Sequence, residues 1–222
     1  MSKTSSSVEQ PRPVVSRAHV GLSEERIVAA AMEVLESDGL DGLSLRAVAG
    51  RLGVRVNAVA WHVKDKAGLI GAATDAMMAD CLPARLPRHP EERVRKLLKS
   101  FRATLCSRRD GARLMQEGFS LARPHQLAFA EAFNAALRAT GRSSKEVAWT
   151  AWTLIYFVIS LVNEEQASPD RTPGVEAAAA DPAAFPCLAE TIEHLTGESF
   201  DDRFAYGVDL ILTGRSAAHG AG

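Results

Sequence analysis

Apolar residues from Ile27 onward return at the spacing of one helical face: Ile27, Ala30, Ala31, Val34 and Leu35. Ser23 stands where an N-cap is needed. A full capping box would want an acid or amide three residues later, where Arg26 stands, but Glu24 and Glu25 suit the positive end of the helix dipole. Gly39 stops this helix, "DGLS" makes a turn, and Ser44 caps a short helix over 45–52. Its stripe is Leu45, Val48, Ala49 and Leu52, and Gly53 ends it. The pattern predicts a third helix over 55–63 and a fourth opening behind Asp65 and reaching about residue 79. In "CLPARLPRHPEE" three prolines within eight residues break any helix. Six longer helical patterns follow, over 91–107, 110–119, 124–140, 143–166, 182–195 and 199–217.

No segment needs a strand and no internal repeat stands out, so the reading is all-α. Residues 1–21, rich in Ser, Pro and Val, are expected to be a disordered arm. Residues 22–80 are expected to form a three-helix head with a helix-turn-helix. Residues 81–222 are expected to form a second helical domain, with a long mobile loop over 167–182.

Composition narrows this further. Hydrophobic residues make up 46% of the 222, enough for a sizeable core, while aromatics are only 6%, a mix that favours helices. No apolar run reaches about 18 uncharged residues and the first residues are polar, so neither a membrane span nor a signal peptide is expected. A cytoplasmic location is the default expectation. Cys81, Cys106 and Cys187 lie far apart without Cys-x-x-Cys spacing, which argues against a disulfide frame or a zinc site. They are expected to be reduced and mostly packed, and no cofactor is expected.

A net charge of −1 advertises no nucleic-acid partner, but charge is local. Between Ser44 and Lys66 five basic residues, Arg46, Arg51, Arg55, Lys64 and Lys66, face the single acid Asp65, a net of +4. Two short helices about a glycine turn in such a setting fit a helix-turn-helix. On the third helix Val59 and Val63, four apart, pack inward with Val56 as a possible companion. Arg55, Asn57, Ala60, Trp61 and His62 remain outward. An outward Ala-Trp-His suits a groove better than water. Asn57 and His62 can bond bases or phosphates, Ala60 can meet a thymine methyl, and the Trp61 N–H can donate to phosphate. Lys66 opens the fourth helix, where an ammonium and backbone N–H groups converge on an anion. The rival from another class, an enzyme, lacks a constellation: His62 and His125 have no acid or metal neighbour at useful spacing, and Glu164–Glu165 lack a partner.

The run "LSLRAVAGRLGVRVNAVAWHVKDKAGLI" resembles the DNA-binding region of TetR-family repressors, and "WHVKDK" in particular resembles the tetracycline-repressor branch. The resemblance implies that Arg46, Val56, Asn57, Ala60, Trp61, His62 and Lys66 lie at double-stranded operator DNA. Ala60 stands where that branch commonly has a tyrosine, which removes a phosphate-contacting hydroxyl. A weaker likeness, carried by "RRDGARL" and the spacing of "FAYGVDLILTG", extends to the chain end.

"AWTAWTLIYFVISLVNEEQ" is a helix apolar nearly all round, and the last helix carries Phe204, Val208, Leu210, Ile211 and Leu212 with Gly207 and Gly214 for close approach. Together they are expected to pair two subunits in a homodimer. The branch binds magnesium–tetracycline, but its two metal-side histidines fall on Met115 and Leu82 here and its asparagine on Leu97. The resemblance therefore implies a cavity without metal, lined by Leu97, Phe101, Thr104, Met115, Phe119, Phe133, Trp152 and Tyr156, for a bulky, mostly apolar effector. A ligand-responsive repressor follows. An activator, or a pure dimer module without effector, are the alternatives left open.

Overall fold

The computed structural model describes residues 21–167 and 181–214; the arm and most of the long loop named above lie outside them. Among the described residues there are ten helices and no strand. They are α1 Glu24–Gly42, α2 Leu45–Leu52, α3 Val56–Val63, α4 Lys66–Met77, α5 Pro90–Cys106, α6 Gly111–Gly118, α7 Pro124–Arg138, α8 Ser144–Ala167, α9 Pro186–Gly197 and α10 Phe200–Thr213.

Local chemistry accounts for most boundaries. Ser23, Ser44, Asp65 and Ser199 each accept a first-turn backbone N–H. Ser143 and Glu146 form a reciprocal capping box ahead of α8. Pro90, Pro124 and Pro186 open α5, α7 and α9, where the missing N–H costs nothing. Helix α9 begins at Pro186 rather than at residue 182 because 182–184 form a turn, in which Asp181 accepts from the Ala184 N–H. Gly39, at φ 73°, breaks α1 as expected, although one further turn runs on to Gly42.

The core is one continuous body of side chains, from Ile27 and Val34 in α1 through Leu69 and Ala73 in α4 to Phe101, Leu114, Phe133 and Val158. Helices α1–α3 make a small head, α5–α8 with α10 make the larger body, and α4 packs against both. Close approaches need glycine. A Cβ at Gly118 would lie 1.9 Å from Thr74 Oγ1, and one at Gly207 would lie 2.2 Å from the Phe157 ring. Helix α8 is long and apolar enough to cross a membrane by length and composition alone. Leu154, Val158, Leu161 and Val162 are instead packed inside the body.

Cys81 is buried as expected, but Cys106 and Cys187 are exposed, a correction to the reading of mostly packed thiols. The reason is position: Cys106 closes α5 on its solvent side and Cys187 sits in the first turn of α9.

Candidate functional site

Helices α2 and α3 meet about Gly53, whose φ of 66° puts the turn in the left-handed region. Ser44 holds the start of α2, and Val48, Ala49, Val59 and Val63 fix the pair on the core. That anchoring turns the rest of α3 outward. Arg55, Val56 and Asn57 are exposed, Ala60 and His62 are half-buried, and Trp61 is 81% exposed. Val56 therefore does not join Val59 and Val63 inside: position 56 opens the helix on its open side. Trp61 stands edge-on to the His62 ring at 4.8 Å. A free indole left in water forgoes about 3 kcal/mol of burial, which makes the ring an asset only against a partner.

The cations sort themselves by partner. Arg51 is committed to Glu33 and Ser37 on α1. Arg46, Arg55, Lys64 and Lys66 have no ion-pair partner among the described residues, and all are exposed. Lys64 was counted in the sequence only as charge. The structure holds it at φ 66°, in a tight γ-turn closed by the Asp65 N–H on the Val63 carbonyl at 2.9 Å. The turn lets α4 start at once beside α3, where Asp65 accepts from the Gly68 N–H at 2.8 Å and Lys66 takes the first helical position.

Helix α4 carries this face to the body. Thr74 donates to the Leu114 carbonyl of α6 at 3.1 Å. Asp75, buried, accepts the His125 and Gln126 N–H groups of the α7 N-terminus at 3.0 and 3.1 Å, and its second oxygen lies 2.9 Å from His125 Nδ1. Arg123, just ahead of α7, reaches Glu24 on α1 at 2.9 Å and the Gly68 carbonyl at 3.4 Å. Asp110 accepts from the Leu40 N–H at 2.8 Å and Arg109 donates to the Glu36 and Ser37 carbonyls. Three corrections belong here. His125 does have an acid neighbour, 50 residues away in sequence. Glu164 pairs with Arg203, and Glu165 with Arg102. Sequence spacing could not show pairs made across the fold.

A cavity of about 160 Å³ lies among α5, α6, α7 and α8, with Met78 at the end of α4 in its wall. Of the residues expected to line it, Phe101, Met115, Phe119, Phe133 and Trp152 do. Tyr156 lines a second, adjoining hollow that shares Met115, Phe119, Trp152 and Ile155 with the first. Leu97 and Thr104 line neither: Leu97 is fully buried in the core, and Thr104 is the hydrogen-bond neighbour of the Cys81 thiol. Both share a face of α5 with Phe101, but they lie about one turn along the helix to either side of it and so miss the cavity. The sequence reading missed Phe129, Gln126, Asn134 and the small residues Ala130, Ala148 and Ala151. Phe129 shares a helical face with Phe133, a signal that was available. Gln126, also buried, holds the Ser120 N–H and the Gly118 carbonyl, and so ties the cavity wall to the end of α6. Phe101, Phe129 and Phe133 form a bank of near-parallel rings, 5.1 and 5.8 Å apart. Among the described residues no group of three or more His, Cys, Asp or Glu could hold a metal ion.

Comparison with known proteins is in keeping with this geometry. The family model for bacterial regulatory proteins of the tetR family matches residues 27–73, and the tetracyclin repressor-like C-terminal domain matches residues 86–218. The tetracycline repressor protein class G of Vibrio anguillarum is 33% identical over 87% of the chain and 93% of its own length. An HTH-type transcriptional regulator of Saccharopolyspora erythraea is 28% identical over 99% of the chain and 98% of its own. The TetR family protein ActR of Streptomyces coelicolor, solved in complex with actinorhodin, superposes with a TM-score of 0.78 at 25% identity, covering 88% of this chain and 97% of that one.

Proposed function

The chain belongs to the TetR family of transcriptional regulators, and from that premise we propose that it is a homodimeric repressor released from a palindromic operator by a bulky, mostly apolar small molecule. The carrying observation is the outward Trp61–His62 pair on α3, in a head whose exposed Arg46, Arg55, Lys64 and Lys66 make no close ion pair among the described residues.

In this reading residues 22–80 are the DNA-binding unit and 81–222 the effector and dimer unit. Helix α3 enters the major groove. Asn57 and Ala60 read base edges, His62 meets base or phosphate, and Trp61, Arg46, Arg55 and Lys66 hold the backbone. Val56 packs against the groove floor. Two subunits present two such helices about 34–36 Å apart, one turn of DNA. The exposed apolar face of α8 and α10, with Trp149, Tyr206 and Leu210, supports pairing between subunits.

The cavity supports the effector half of the reading. Its wall is mechanically tied to α4 through Gln126, the α7 N-terminus and Asp75, and through Met115 on the same short helix as Leu114. An occupant that moves these helices moves α4 and so the spacing of the heads. Complete release, from 99:1 to 1:99, needs a preference of about 5.5 kcal/mol for the DNA-incompetent state. Several relatives are tetracycline repressors, but the described wall of this cavity, with Met115 in it, holds no His, Cys, Asp or Glu, which supports an effector that is not metal-chelated.

The test is a gel shift on the DNA upstream of the chain's own gene, with wild type beside Trp61→Ala. A shift by wild type that the variant loses is expected. Equal binding by both on specific and unrelated DNA would reject the assignment.

A further inference from the structure

We propose that the groove between α5 and the segment joining α4 to α5 binds a small molecule carrying two or more phosphate groups. The site is separate from the DNA face and from the cavity described above, and it does not depend on the repressor reading.

The first argument is charge. A groove of about 630 Å³ lies between residues 83–85 and α5, where Lys96, Lys99 and Ser100 line it. Arg85, Lys96 and Lys99 are its charged side chains, and its lining holds no acid. All three cations are exposed and make no hydrogen bond or ion pair among the described residues. Glu92, one turn before Lys96, is exposed and does not close on it. Other cations of the body are engaged: Arg95 pairs with Asp209, Arg102 with Glu165 and Arg203 with Glu164. Like charges gathered without a counter-charge repel one another, and an anion among them relieves that repulsion.

The second argument is preorganisation. The Ser100 hydroxyl donates to the Cys81 carbonyl at 2.6 Å. The Arg93 guanidinium donates to the Pro87 and Arg88 carbonyls, both at 3.3 Å. Between these ties Pro83 fixes a further backbone angle. The segment is thus held on α5 at both ends, and a ligand entering the groove has little left to order. The Ala84 and Arg85 N–H groups meet no acceptor among the described residues, so backbone donors stand beside the cations.

The third argument is place and spread. Lys96 and Lys99 follow one another along α5 and Arg85 belongs to the opposite wall, so the charge suits several anionic groups better than one. Phosphate offers three acceptor oxygens to such donors. The end of α5 nearest the head is its C-terminus, since Arg109 just beyond it donates to the Glu36 and Ser37 carbonyls of α1. Lys96 lies about 15 Å back from that end along the helix. That separation from the head favours a small molecule over DNA.

Sodium tripolyphosphate, titrated calorimetrically into the full chain at pH 7.5 in about 0.15 M salt, is expected to bind one per chain with a Kd of about 0.1 mM or tighter. Inorganic phosphate should bind at least about tenfold more weakly. Lys96→Gln combined with Lys99→Gln should weaken tripolyphosphate at least about tenfold while leaving the thermal midpoint and operator binding unchanged. Arginine at both positions should keep the affinity within about threefold, because the charge is kept. Lys66→Gln, on the DNA face, should leave tripolyphosphate binding as in wild type. Absence of saturable binding overturns the inference. So does loss of binding in Lys66→Gln with retention in the double glutamine variant, displacement of tripolyphosphate by operator DNA, or equal affinity for citrate. Failure of wild type to bind operator would sink the repressor reading and leave this site standing.

Discussion

Replacing Asp75 with alanine isolates the joint between α4 and the body. The carboxylate takes three hydrogen bonds, from two first-turn N–H groups of α7 and from the His125 ring. Against a carboxylate acceptor the Nδ1 atom carries the proton. Helix α7 has no side-chain cap of its own, since Arg123 at its N-cap position makes none, so Asp75 performs that task from another helix. Loss of such a cap costs about 1 kcal/mol. The Gln126 N–H, on a buried residue, is then left without an acceptor, which costs about 1–3 kcal/mol more. Asp75→Ala is thus expected to lose about 2–4 kcal/mol per chain. Asp75→Asn keeps the oxygen that serves both N–H groups, and the imidazole can accept from the new amide in its other tautomer. It should lose about 1 kcal/mol, mostly the attraction between the charge and the helix dipole. Urea unfolding at one fixed protein concentration measures both. An alanine variant within about 0.5 kcal/mol of wild type, or an asparagine variant as weak as alanine, would refute the capping argument.

Other perturbations test other parts of the chain. Gly68→Ala puts a Cβ 1.9 Å from the Val63 carbonyl oxygen, a backbone atom, so α3 and α4 must separate; a loss of about 3 kcal/mol or more is expected, and an unchanged thermal midpoint would contradict it. Lys66→Ala should weaken binding to every DNA sequence and lower the slope of log affinity against log salt by about one; an unaltered slope removes Lys66 from the phosphate contacts. Asn57→Ala should lose about 1–3 kcal/mol on the best site only, and equal loss on all sequences would deny it a base-reading role. Cys106 is open to solvent on one side, but the protein packed on its other side strips water from the thiol and, with the Glu165 carboxylate at 3.6 Å, pushes it up to about 11. Its thiolate forms only as pH climbs toward that value, so alkylation by iodoacetamide should be slow at pH 7.5 and accelerate at alkaline pH; rapid reaction at pH 7.5 would be inconsistent with that environment.

The comparison of pattern with structure is instructive at particular residues. Ser23, Ser44, Asp65, Gly39 and Gly53 each set a helix end through bonds or dihedrals within a few residues, so the chain's own order exposes them. The outward face of α3 was legible for the same reason: burying Val59 and Val63 leaves Trp61 no place but the surface. Glu164 and Glu165 were read as unpartnered because Arg203 and Arg102 lie 39 and 63 residues away. Leu97 and Thr104 were misplaced because helical periodicity shows that a face is apolar without saying which neighbour it meets.

The sequence by itself determined most of the helices, their caps and breaks, and which residues of α3 face outward, since these follow from contacts one to four positions apart. Only the tertiary structure decided that Asp75 caps α7, that Arg123 reaches α1, and that Phe129, Gln126 and three alanines rather than Leu97 and Thr104 wall the cavity. Those outcomes depend on the angles at which α4 to α8 cross. Crossing angles are set by how whole helical surfaces interlock, a property of pairs of elements that no single segment contains.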